Sequence, residues 1–108
     1  MLFTVIGIIR MQLEAKQDKI EKASACLKAL AHPLRLRVLC VLREGEKNVQ
    51  QMEQFLGTSQ ANVSQHLGLM KDKEILVSRK EANQVFYSVK DPRTFELLDL
   101  LQSIYCKP

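Results

Sequence analysis

The sequence predicts a mainly α-helical domain with one small β-hairpin, in the order α-α-α-α-β-β-α. Apolar residues recur at helical spacing from residue 12 to about residue 73 and again near the C-terminus. Between these stretches, residues 75–89 are rich in β-branched and aromatic residues and contain a polar turn. The chain has 108 residues, of which 46% are hydrophobic, and this suits one small domain that gains stability by dimerising.

Residues 1–11 are predicted to be an extension of a domain formed by residues 12–108. Leu2 to Ile9 is almost entirely apolar, but it is shorter than the roughly 20 residues that span a bilayer. It also lacks the basic region and cleavage site of a signal peptide, so we expect no membrane partner. The segment could be a strand or helix on a dimer surface, an artefactual start upstream of Met11, or disordered, and we favour the last two.

Two helices are predicted before the central motif, from Gln12 to Leu30 and from Pro33 to Arg43. Proline suits the first turn of the second helix, and Gly45 is typical of a helix end. The first helix is too large for so small a domain to cover, so we expect it to build part of a dimer interface. In the second helix we expect burial of Leu36, Leu39 and Leu42, with Val38 and Val41 on the flanks and Arg35, Arg37 and Arg43 toward solvent.

The central motif runs from Asn48 to Lys73 and is predicted to be two helices joined by a tight turn. Gly57 ends the first helix, because glycine tolerates the left-handed conformation of a helix end. Ser59 then caps the second helix through its hydroxyl. The alternative interpretation is an ordinary αα-hairpin with a solvated outer face.

One face of that second helix is small, polar and free of acids. At about 100° per residue, Gln60, Ser64 and Gln65 gather on this face with Lys71. Amide, hydroxyl and cationic side chains are the groups that read base edges in a major groove and contact phosphates. The pattern therefore predicts a helix-turn-helix that binds double-stranded DNA, with Ser59 touching a phosphate.

A hairpin follows, with strands from Ile75 to Arg79 and from Val85 to Val89 and a turn between them. Arg79 and Lys80 near its tip make it a basic wing, with Arg79 near the minor groove. The alternative is a plain hairpin that covers the core, since its apolar side chains, Val77, Val85, Phe86 and Val89, must face something apolar.

A last helix opens at Asp91-Pro92 and carries a broad apolar stripe, which we expect to complete the dimer interface.

Composition narrows the functional classes. The formal net charge is +4, which suits a polyanionic partner without requiring one. Three cysteines without a CxxC spacing exclude a secreted disulfide framework and indicate a cytoplasmic protein with reduced thiols. Because the chain offers no triad, phosphate loop or paired carboxylates, we expect neither an enzyme nor a cofactor.

The whole pattern resembles the ArsR/SmtB family of winged-helix repressors. Three strings carry the resemblance: LKALAHPLRLRVLCVLREGE at Leu27–Glu46, TSQANVSQHLGLMKDKEIL at Thr58–Leu76 and VSRKEANQVFYSV at Val77–Val89. The resemblance implies a homodimer that represses by binding an inverted-repeat operator and releases it when an inducer acts. The family's usual metal ligands are absent, and His32 and His66 do not converge with the further ligands that zinc needs, so we predict no metal site.

Cys40 and Cys106 resemble the dithiol branch of that family, which senses reactive sulfur or oxidants. The implied chemistry is attack by Cys40 and resolution by Cys106, giving a disulfide or a polysulfide bridge. Arg37 and Arg43 lie one turn on either side of Cys40, and a nearby cation favours a thiolate. Burial as a small hydrophobic residue is the alternative for Cys40, and we expect Cys26 to lie in the core or the interface.

Two further hypotheses remain open. The same fold without a sensor would bind DNA constitutively, or would displace another repressor and so act as an activator. A protein-interaction module built on the winged helix is the third. The operator, the regulated genes and the natural inducer, whether a persulfide or a peroxide, are beyond the sequence.

Overall fold

The computed structural model describes residues 2–105, with side chains from residue 4 onward. The chain forms six helices and three short strands over this range. The helices are α1 (Leu2–Ala15), α2 (Gln17–Leu30), α3 (Pro33–Leu42), α4 (Val49–Leu56), α5 (Gln60–Asp72) and α6 (Arg93–Tyr105), and the strands are β1 (Lys47–Asn48), β2 (Leu76–Glu81) and β3 (Gln84–Val89). The prediction of a mainly α-helical domain with a small hairpin is confirmed.

The N-terminal segment is helical, one of the alternatives that the sequence left open. Helix α1 runs across the boundary predicted between residues 11 and 12. Hydrogen bonds of helical spacing continue through the irregular Lys16, from its amide to Gln12 O (3.2 Å) and from Ile20 N to Lys16 O (2.9 Å). The single predicted helix of residues 12–30 is therefore the second part of a longer helical run that is interrupted only at Lys16.

This long helical run is largely uncovered. Six large apolar side chains of α1 are 44–70% exposed, and Ile20 and Leu27 of α2 are exposed as well. Helix α6 continues the same feature, since only Leu98 of its apolar stripe is buried whereas Ile104 and Tyr105 are exposed. No helix within residues 2–105 is both long enough and apolar enough to cross a bilayer.

The core lies where α3, α4 and α5 pack on the sheet. Seven of its side chains are essentially inaccessible to solvent: Val38, Leu39, Met52, Val63, Leu67, Met70 and Leu76. On α3 the buried stripe is Leu34, Val38, Leu39 and Leu42, so Val38 is a core residue and not the flanking residue that was predicted, and Leu36 is only half-buried. Arg35 is likewise half-buried, because α2 and α5 lie against its side of the helix.

The sheet has three strands in the order β1-β3-β2, one more than the sequence predicts. Strand β1 contributes only Lys47 and Asn48, which pair antiparallel with Tyr87 and Phe86 of β3. Strand β2 pairs with β3 from Leu76 opposite Val89 to Glu81 opposite Gln84. Because neighbouring side chains of a strand point to opposite faces, Val77 lies on the outer face and is 40% exposed, contrary to the expectation that it packs inward.

Candidate nucleic-acid interface

The helix-turn-helix motif begins at a well-capped α4. Asn48 Oδ1 accepts a hydrogen bond from the Gln51 amide (2.9 Å), and Gln51 Oε1 accepts one from the Asn48 amide (2.9 Å). This reciprocal capping box satisfies two backbone donors that the first turn of a helix leaves free. The helix ends at Gly57, whose φ of 66° is the left-handed conformation that glycine adopts without strain. The predicted helix end at Gly57 is confirmed.

The turn between the helices fixes where α5 begins. Ser59 Oγ accepts a hydrogen bond from the Asn62 amide (3.2 Å), which confirms Ser59 as the N-cap of α5. Thr58 Oγ1 accepts a second one from Asn62 Nδ2 (3.0 Å). Two hydroxyls therefore hold the first turn of α5 in place.

Helix α5 divides into two faces. Val63, Leu67 and Met70 are fully buried and anchor the helix on the core. The opposite side is exposed and mainly polar, and it ends at the exposed carboxylate of Asp72. It includes every DNA-binding residue predicted on the motif: Ser59, Gln60, Ser64, Gln65 and Lys71. The helix thus presents a polar ridge to solvent. Contact of these side chains with bases or phosphates stays a prediction.

The hairpin beside this ridge is held in a defined position. Its turn residues Ala82 and Asn83 have φ values of 49° and 67°. Positive φ at both central residues is typical of a two-residue hairpin turn, because it matches the twist of the flanking strands. Asn48 Nδ2 donates a hydrogen bond to Gln84 Oε1 (3.1 Å), so the hairpin tip is tied to the start of α4. Lys80 is exposed on this tip, as the sequence predicts for a wing.

Arg79 differs from Lys80 because two carboxylates of the same chain neutralise its charge. Its Nε donates a hydrogen bond to Glu46 Oε2 (2.9 Å), and its guanidinium also forms ion pairs with Glu46 and Glu81. The guanidinium carbon lies 4.8 Å from the centre of the Phe86 ring, within the range of a cation–π contact. The Arg79 hydrogen bond and charge also hold the pKa of the Glu46 carboxyl below its usual value.

Sequence inspection missed both acids. Glu81 lies two residues beyond Arg79 on the same face of β2, so strand alternation is a signal that could have found it. Glu46 is 33 positions away and comes close only because β1 pairs with β3. No local pattern marks that contact.

The other flank of α5 carries a pair of histidines. The rings of His32 and His66 have centroids 4.6 Å apart, and His32 Nδ1 accepts a hydrogen bond from the Leu34 amide (3.1 Å) to cap α3. Burial, followed by the nearby His32 and Arg35, lowers the pKa of His66. Among residues 2–105, no three His, Cys, Asp or Glu side chains are grouped so as to hold a metal ion.

Cys40 is exposed on α3, so the alternative that it is a buried hydrophobic residue is wrong within one protomer. The two arginines that flank it are engaged elsewhere. Arg37 donates to Leu56 O (3.2 Å), whereas Arg43 donates to Phe95 O (3.2 Å) and pairs with Asp99 (2.6 Å). Cys26 is half-buried and packs against the core, as predicted. Cys106 lies outside the described residues.

These elements together form a winged helix-turn-helix, the fold of a DNA-binding domain. Residues 32–77 match the family described as "Bacterial regulatory protein, arsR family". The chain is 34% identical over 103 residues to a biofilm growth-associated repressor of Agrobacterium fabrum, with 95% of this chain and 88% of that protein covered. It is also 34% identical over 97 residues to the transcriptional activator HlyU of Vibrio cholerae, with 90% of each chain covered.

Solved structures agree with these relatives. The transcriptional repressor BigR from Xylella fastidiosa superposes with a TM-score of 0.76 at 32% identity, covering 92% of this chain and 98% of that one. A homodimeric winged helix-turn-helix DNA-binding domain from Mycobacterium bovis gives a TM-score of 0.76 at 25% identity, with 82% of both chains covered. The chain belongs to the ArsR family of bacterial regulatory proteins, which confirms the resemblance seen in the sequence, and it is a transcriptional regulator.

Proposed function

We propose that the protein is a homodimeric repressor that binds an inverted-repeat operator and releases it when its thiols are oxidised. The observation that carries the DNA-binding part is the exposed polar ridge of α5 beside the wing that carries Lys80. Gln60, Ser64 and Gln65 would contact base edges, while Ser59, Lys71 and Lys80 would contact phosphates. A DNA-binding role is also the basis for placing the protein in the cytoplasm.

Dimerisation is supported by the uncovered apolar surface of α1, α2 and α6. Leu27, Leu100 and Ile104 are each more than half exposed, and α1 exposes six more large apolar side chains. Extensive exposed apolar surface on a folded protein marks an interaction site. A two-fold dimer would bury them and would set the two α5 ridges on successive major grooves, with half-sites about one helical turn apart or a multiple of it.

Gln65→Ala tests base recognition. A bidentate amide–adenine contact discriminates against a wrong base by roughly 1–3 kcal/mol, so specific affinity should fall about tenfold or more while nonspecific binding is spared. The measurement is a gel-shift titration on the protein's own upstream DNA and on a scrambled duplex. Glu53→Gln, a change on α4 outside the ridge, is the control. Equal weakening on both duplexes would contradict base recognition by Gln65.

The proposed sensor uses Cys40 and Cys106. The Cys40 thiolate attacks the outer sulfur of a persulfide RSSH and expels RSH, which leaves a persulfide on Cys40. The Cys106 thiol then attacks the Cys40 sulfur and releases H₂S, so that two thiols are oxidised to one disulfide. With a peroxide, the first product is a sulfenic acid plus water, and the second thiol releases another water. The exposure of Cys40 supports its role as the attacking thiol.

Cys40→Ser tests the sensor. This variant should bind the operator with wild-type affinity and should stay bound when a persulfide or peroxide is added, because no bridge can form. Cys26→Ser is the matched control and should release DNA normally, since Cys26 packs on the core. Thiol titration before and after oxidant reports the loss of two thiols in wild type. Normal release by Cys40→Ser would remove Cys40 from the mechanism.

A constitutive DNA binder that displaces another repressor is the second candidate function. It is favoured by the HlyU relative, whose name is that of a transcriptional activator. The same titration separates the two functions. A constitutive binder would hold the operator unchanged with and without oxidant, whether or not its thiols react.

A further inference from the structure

A groove with a volume of about 650 Å³ lies between α2, the start of α3 and the C-terminal half of α5. This size is within the range of about 300–1,000 Å³ that is typical of small-molecule sites. One wall is apolar, with Ile20 from α2 and Leu69 from α5. The groove therefore joins a helix of the proposed dimer interface to the helix that carries the polar ridge.

The polar lining of the groove is mostly cationic. Lys28, Arg35 and Lys73 line it, one each from α2, from α3 and from the residue that caps the end of α5. Among the residues that the structure describes, Glu21 is the only acid in the lining. Three positive charges against one negative charge favour an anionic occupant.

These three cations differ from three arginines elsewhere in the fold. Arg43, Arg79 and Arg93 each form an ion pair with a carboxylate. Within residues 2–105, no side-chain hydrogen bond or ion pair engages Lys28, Arg35 or Lys73. The Arg35 Nε is moreover buried without a hydrogen-bond partner in that part of the chain. An anion in the groove would pair with the positive charge of Arg35, which no carboxylate within residues 2–105 neutralises.

Arg35 also lies close to α5, because its charge adds to burial and to His32 in lowering the pKa of His66. His66 lies between the buried Val63 and Met70 on one side and the polar ridge on the other. Neutralising Arg35 therefore changes the electrostatic environment of α5, the helix on which the ridge is built.

We propose that this groove binds a small organic anion, a carboxylate with an apolar body. The carboxylate would lie on Arg35 with Lys28 and Lys73 nearby, and the apolar body would cover Ile20 and Leu69. A ligand placed this way would link α2 to α5 and would change operator affinity. This last step alone rests on the proposed function, whereas the binding site does not.

Isothermal titration of the full chain with octanoate tests the site, with 1-octanol and inorganic phosphate as comparison ligands. Octanoate should bind, while octanol lacks the charge and phosphate lacks the apolar body, so both should bind at least about tenfold more weakly. Arg35→Gln should weaken octanoate by a similar factor, and so should Lys73→Gln at an exposed position. Lys19→Gln, which removes a charge from α2 outside the groove, is the matched control.

Three outcomes would overturn the proposal. Equal binding of octanol would show a purely apolar surface, and equal binding of phosphate would show nonspecific attraction to cations. Octanoate binding that appears only at protein concentrations low enough for the dimer to dissociate would show that a second copy fills the groove in the dimer. If octanoate binds as proposed but leaves operator affinity unchanged, the link to α5 is refuted. If the protein binds no DNA at all, the proposed function fails while the titration still decides the site.

Discussion

The two neighbouring cations of the wing should contribute unequally to DNA binding, because only one of them lacks a carboxylate partner among the described residues. Lys80 has no ion pair within the described part of the chain, whereas Arg79 faces Glu46 and Glu81. We therefore expect Lys80→Gln to remove a phosphate contact from each protomer. Lys19→Gln on α2 makes the same change in net charge and serves as the matched control.

The size of the effect follows from counterion release. Each phosphate contact contributes about 0.9 to the slope of log affinity against log salt concentration, so two contacts per dimer contribute about 1.8. Between 50 and 200 mM salt, the affinity of wild type for DNA should therefore fall by a factor about tenfold larger than that of Lys80→Gln. Fluorescence anisotropy on a labelled operator over that salt range measures both slopes.

Glu46→Gln extends the comparison to Arg79. This change removes one of the carboxylates that hold the guanidinium, so Arg79 becomes available to phosphate and the slope should become steeper than in wild type. A Lys80→Gln slope parallel to wild type would refute the assignment. A flatter slope in Arg79→Gln than in Lys80→Gln would also refute it, because it would show that DNA displaces the two acids.

Three further predictions concern α5 and the neighbouring His32. Gly68→Ala should raise the free energy of unfolding by about 0.5–1 kcal/mol, since alanine favours the helix and its added carbon meets nothing within 4 Å. Urea melts measure this change. Unchanged operator affinity in the same variant would argue against close docking of the helix on DNA at Gly68. NMR titration should place the pKa of His66 below the usual value of 6.5, so stability should decrease as pH falls from 6.5 through that lowered pKa, because the unfolded chain then binds the proton more readily. His32→Asn keeps a capping acceptor for α3 and should raise the pKa of His66 only partway, because burial is the larger cause; no change would exclude His32 as a contributor.

Sequence inspection located the features that depend on local chemistry. The Gly57 helix end and the Ser59 cap are set by hydrogen bonds that span three or four residues, so the amino-acid types alone predict them. The buried stripe of α5 was likewise predictable from its period of 3.6 residues. The exposure of the predicted DNA-binding residues follows from the same period, because they lie opposite that stripe.

The features that were missed depend on contacts between distant parts of the chain. Strand β1 exists only because Lys47 pairs with Tyr87, and a two-residue strand has no sequence signature. On α3, apolar residues lie on nearly every side of the helix, so their spacing could not show whether Leu36 or Val38 is the core residue. Helix α1 was ambiguous because a continuous short apolar run suits a strand, a helix or neither.

The distribution of buried residues suggests where a switch would act. Helix α5 and the wing share one core, since Met70 and Leu76 are both essentially inaccessible to solvent and the Ile75 amide donates to Met70 O (2.9 Å) between them. Interiors packed in this way resist gradual deformation, so we expect the ridge and the wing to keep their mutual geometry. The uncovered apolar faces of α1, α2 and α6 lie outside that core. A bridge from Cys40 on α3 to the end of the chain after α6 would therefore act on the relation between two protomers, by changing the spacing of their α5 ridges, and would leave each ridge intact.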